Sequence, residues 1–139
     1  MLPLTGTPVN NPSTVTAGSP LSTPLLVTYQ RSGGIAGIHE VLTIAPDGMG
    51  SLTNYAGTTL ASRQFSIVEL QPIYARLTNP AFAQLKPEYL DVFPDSFTDT
   101  IIWVDASGSH TVTVTVGSTY PDILQQALDE LRTLRATLP

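Results

Sequence analysis

Arg31-Ser32-Gly33-Gly34-Ile35-Ala36-Gly37-Ile38 stands between two runs in which apolar and polar residues alternate. Gly-Gly at such a junction reads as the turn of a β-hairpin, because primed turns need positive φ at their central residues. A two-residue turn at Gly33-Gly34 pairs Ser32 with Ile35. That register puts Leu25, Val27 and Tyr29 on one face with Ile38, Leu42 and Ile44. Glu40 falls on the same face and is the exception, expected at the sheet margin. The first strand is therefore predicted over residues 25–30 and the second over 37–45.

Working outward, Pro46-Asp47-Gly48 is a turn signal and leads to a third strand over 49–55. Residues 59–67 add a short strand. Leu70, Ile73, Tyr74 and Leu77 recur at helical spacing. Ser66-Ile67-Val68-Glu69 matches a capping box. However, a cap at Ser66 leaves Pro72 well inside the helix, where it costs a backbone hydrogen bond. The proline is given more weight, and the helix is expected to start at Glu69 or Leu70 and to end before Pro80. A short turn follows near residues 81–85, and residues 86–97 read as irregular. Strands over 98–104 and 110–116 come next, with Val112, Val114 and Val116 alternating against threonines. A closing helix over 121–136 carries the stripe Leu124, Ala127, Leu128, Leu131 and Leu134. The fold class is α+β: an antiparallel sheet of four to five strands with two helices packed on one face.

Residues 1–24 hold five Pro, five Thr and three Ser, and no charge appears before Arg31. Such a stretch buries too little apolar surface to offset its ordering entropy and is read as a disordered tether. The folded unit is expected over residues 25–139. Charge-free tethers of this kind follow the signal peptide or lipid anchor of bacterial surface proteins. The expectation is thus an extracytoplasmic, secreted or surface-tethered protein, with any lipid anchor lying outside this chain. No apolar run approaches the ~18 residues of a membrane span.

The net charge is −5, and the six basic residues, Arg31, Arg63, Arg76, Lys86, Arg132 and Arg135, look scattered. That pattern argues against nucleic acid, which needs clustered cations. Without cysteine there is no disulfide, zinc-thiolate site or thiol nucleophile. His39 and His110 sit in strand patterns and read as surface histidines. Glu88, Asp91, Asp95, Asp99 and Asp105 read as a solvated acidic rim, since their spacing fits no calcium loop. Phe97 and Trp103 read as core. No nucleophile, base or phosphate-loop motif stands out. The sequence therefore points to a protein without catalytic, metal-binding or cofactor-binding residues.

Arg31-Ser32-Gly33-Gly34-Ile35-Ala36-Gly37 resembles the opening motif of emfourin-type proteins, the inhibitors associated with protealysin and related thermolysin-like metalloproteases. The similarity continues in order through the helix with Leu70 and Leu77, then Pro94-Asp95-Ser96-Phe97 leading into a hairpin. Pro121 and the Leu124, Leu128, Leu131 helix complete it, so it covers residues 27–135. The resemblance implies a protein partner, a metalloprotease whose cleft is occluded by the hairpin tip. The residues it implies at the contact are Arg31, Ser32, Gly33, Gly34, Ile35, Ala36 and Gly37, with Ile35 or Ile38 filling an apolar pocket. The same motif order occurs in uncharacterised bacterial lipoproteins, which implies the alternative of a surface-tethered domain with another partner.

Overall fold

Alternation along each strand sorts the sheet into an apolar face and a Thr-rich face, and the helices cover the first. The structure is a computed structural model that describes residues 24–34 and 37–138. Its strands are β1 (Leu26–Gly33), β2 (Ile38–Ile44), β3 (Met49–Asn54) and β4 (Thr59–Gln64), followed by α1 (Ile67–Leu77) and α2 (Pro80–Ala83). The chain then forms β5 (Glu88–Tyr89), β6 (Phe97–Asp105), β7 (Gly108–Thr115) and α3 (Asp122–Ala136).

The fold is α+β, with a larger sheet than the sequence suggested. Seven strands among the described residues form one sheet in the order β4-β3-β2-β1-β6-β7-β5. Every pairing is antiparallel except the one between β5 and β7, so the sheet is mixed. The expected four to five strands fall short by two: β4, read from sequence only as a short addition over 59–67, and β5, which is two residues long and carries no periodicity of its own. Its place is set by Thr113 N donating to Pro87 O at 2.8 Å. A third helix, the four-residue α2, starts at Asn79, whose side chain accepts from Ala81 N.

The predicted two-residue turn is also corrected. Ser32 pairs with His39, four positions beyond Ile35, and Gly33 pairs with Ile38. A displacement by an even number keeps every side chain on its expected face. Hence Val27 and Tyr29 still face the core beside Leu42 and Ile44, all of them buried.

Helix α1 begins earlier than Pro72 suggested. Ser66 is its N-cap: Glu69 N donates to Ser66 Oγ at 3.1 Å, and Ser66 N donates to Glu69 Oε1 at 2.9 Å. Pro72 lies inside the helix on its exposed side, where a carbonyl without its usual partner meets water. The buried stripe Leu70, Ile73, Tyr74 and Leu77 agrees with the helical spacing. In α3 the buried residues are Leu124, Ala127, Leu128, Leu131 and Leu134, as expected. Arg76 of α1 grips Glu130 of α3 with two hydrogen bonds of 2.8 and 2.7 Å, fixing the two helices to each other.

Three cross-strand rows face the helices. His110, Trp103, Val27, Ile44 and Gly50 form one, and Val112, Ile101, Tyr29, Leu42 and Leu52 the next. The third runs Val114, Asp99, Arg31, Glu40 and Asn54. Two apolar rows thus give way to a charged one towards the β1–β2 apex. On β7, Thr115 is buried alongside Val112 and Val114, so its threonine side is not wholly solvated.

Candidate functional site: the β1–β2 apex and the cavity behind it

The apex is built on glycine for steric reasons. Gly33 has φ +105°, and a Cβ there would stand 2.6 Å from Ser96 O. Gly34 has φ +76°, and its Cβ would stand 2.8 Å from the Phe97 ring. Both positions therefore admit only glycine without rearrangement. Gly34 N donates to Ser96 O at 3.1 Å, and Gly37 N donates to Gly34 O at 3.2 Å, which closes the turn. Gly37, with φ +64°, has nothing within 4 Å of its Cβ position and is exposed. Ile35 and Ala36 lie outside the described residues.

Of the other residues singled out at the motif, Ser32 is half-buried and sits between His39 and Thr98 in the ladder. Arg31 is turned inward along the charged row. Its Nε donates to Asp99 Oδ1 at 2.8 Å and its Nη2 to Asp99 Oδ2 at 2.9 Å. Its guanidinium also stacks over Phe97, 4.8 Å from the ring centre. Phe97 thereby touches both Gly34 and Arg31, and it couples the apex to the charged row.

Asp99 corrects the reading of a solvated acidic rim, since it has 0% exposure. Besides Arg31, Tyr29 OH donates to its Oδ2 at 2.9 Å and Arg132 Nη2 at 2.8 Å. Burial alone would raise its pKa. The hydrogen bonds from Arg31 and Arg132 outweigh burial and hold the carboxyl below its ordinary value. Tyr29, buried beside that carboxylate, is pushed up to about 12. Next in the row, Glu40 accepts from Arg135 Nε at 3.1 Å and from Nη2 at 3.0 Å. Three of the six basic residues therefore meet at one place, where the last turns of α3 cross the charged row; they are not scattered. Between them lies a cavity of about 310 Å³.

The histidines lie elsewhere. His110 stacks on Trp103 with ring centres 5.1 Å apart, and His39 meets Tyr55 edge-on at 5.5 Å. His110 Nε2 lies 3.0 Å from Ser107 Oγ and 3.1 Å from Asp105 Oδ1. Hydroxyl and carboxylate share one ring nitrogen, so this trio locks the β6–β7 turn and does not form a relay through the imidazole. Hydrogen bonds from Ser107, then His110, lower Asp105 to about 2. Among the described residues, no group of three or more His, Asp or Glu side chains could hold a metal ion. No helix among them is long and apolar enough to cross a membrane.

Tyr29, Asp99, Arg132 and Arg135 were not singled out from sequence as parts of a site. The available signal was positional. Asp99 shares strand parity with Ile101 and Trp103, and Arg132 and Arg135 flank the leucine stripe of α3 at helical spacing. Comparison with known proteins adds no family: no protein-family model matches the chain, and no curated protein matches it.

Proposed function

We propose that this chain is a non-enzymatic binding domain that works by contact through the β1–β2 apex. Its partner is a thermolysin-like metalloprotease, whose cleft the apex occludes in an extracytoplasmic setting. One observation carries the reading: at exposed Gly37 the ribbon end meets solvent as bare main chain. Main chain held by a closed turn enters a narrow cleft with little side-chain entropy to lose. Ile38 beside it is 39% exposed and supplies an apolar side chain for a specificity pocket.

The test is inhibition of a panel of thermolysin-like proteases by the wild type, Gly37→Arg and Ile38→Asp. Gly34 is unsuited as a probe because its side chain would strike Phe97. Gly37→Arg adds a left-handed strain of ~1–2 kcal/mol, whereas Ile38→Asp adds none, and circular dichroism confirms that both fold. The wild type inhibits, and both variants weaken inhibition by about tenfold or more, each tenfold being ~1.4 kcal/mol. Unchanged inhibition by both variants removes the apex from the contact. A wild type that inhibits no member of the panel overturns the protease reading in favour of a surface-tethered, lipoprotein-like domain with another partner.

A further inference from the structure

We propose that the cavity between the charged row and α3 is a binding site for an aliphatic carboxylate. Its polar wall is formed by Tyr29, Arg31, Glu40, Arg132 and Arg135. Leu42 and Leu52, both almost wholly buried, line it with hydrocarbon. Three guanidinium charges meet the two carboxylates Asp99 and Glu40 there, which leaves one positive charge in excess. Asp129, the other acid in reach of Arg132 at 3.3 Å, has a side chain 60% exposed, so water screens it. A monoanion neutralises the excess, whereas a phosphate dianion exceeds it.

Donors remain for such a ligand. Arg31 and Arg135 each commit Nε and Nη2 to a carboxylate. Among the described residues Nη1 of neither donates a hydrogen bond, and a guanidinium carries five N–H donors. The ion pairs also hold both arginines in place before any ligand arrives, which lowers the entropy lost on binding. A volume of about 310 Å³ lies at the small end of ligand pockets, which start near ~300 Å³. The leucines favour a ligand with a hydrocarbon body over a bare inorganic anion. Two sources supply that chemistry: a free small aliphatic acid, and a peptide chain end whose last residue is aliphatic.

The experiment is calorimetric titration of the full chain with hexanoate, N-acetyl-L-leucine, N-acetyl-L-leucinamide and inorganic phosphate. The acids bind saturably and the amide does not. Tighter binding of N-acetyl-L-leucine assigns the site to a chain end, and tighter binding of hexanoate to a free acid. Arg135→Gln weakens the better acid about tenfold or more. Ala136→Phe, a change at an exposed position lining the cavity, abolishes binding and leaves the melting temperature within a few degrees of wild type. Absence of saturable binding by either acid, equal binding of the amide, equal binding of phosphate, or unaltered binding by both variants overturns the proposal.

Discussion

Four hydrogen bonds converge on the Asp99 carboxylate, from Tyr29, Arg31 and Arg132, and none of its surface is exposed. Removing its charge leaves two guanidinium groups facing each other without the buried counterion they share. Asp99→Asn is therefore expected to cost about 3 kcal/mol or more, as breaking one side of a buried ion pair does. The urea midpoint at neutral pH measures it. The pH dependence follows from the same bonds. Folding lowers the Asp99 pKa, so the unfolded chain binds more protons near its ordinary value of ~3.9. The contribution is complete above that value and is lost as the pH falls through the lower, folded value. Wild-type stability should fall below about pH 4, and Asp99→Asn should show a shallower fall over the same range. The inward position of Asp99 was legible in the alternation Asp99, Ile101, Trp103. Its partners were not, because they come from one strand about seventy residues away and a helix about thirty-three residues away. Charge tallies treat those residues as independent, and folding makes them one network.

Helix α1 sets two local rules against each other, and both act. Its capping box satisfies two backbone donors, while Pro72 removes one donor from the helix interior. Ser66→Ala should lower stability by about 1 kcal/mol. Pro72→Ala should raise it by about 1 kcal/mol, since the regained hydrogen bond is partly offset by a freer unfolded chain. Thermal melts with shifts of opposite sign, each about 4–8 °C, check the pair. Equal signs would mean that the proline fixes something other than the helix start. The sequence carried both signals, and weighing them needed the orientation of the helix. The cost of Pro72 is small because it faces water. At the apex the sequence placed the faces correctly and the turn length wrongly. Face is fixed by parity, whereas turn length depends on Phe97, a distant residue that packs under Gly34.

At the scale of the whole molecule, the two hairpins β1–β2 and β6–β7 were readable because each joins neighbours in sequence. The pairing that makes one sheet of them, β1 with β6, was not. It joins residues such as Tyr29 and Ile101, and nothing local encodes it. Non-local pairing of this kind slows folding, to the order of milliseconds to seconds. Stopped-flow refolding should give that range, and refolding in microseconds would contradict the topology. Native-state hydrogen exchange should be slowest in β1 and β6 and fastest in β4 and β5, because central strands open only with the whole sheet. The arrangement has a last consequence. Among the described residues, β5 is a two-residue strand that blunts one border of the sheet, whereas β4, with Leu60 half exposed, leaves the other open. The longer uncovered rim for strand-to-strand addition is thus the six-residue β4. Two copies joined along β4 would each cover the other's open strand, so that contact closes on itself as a pair.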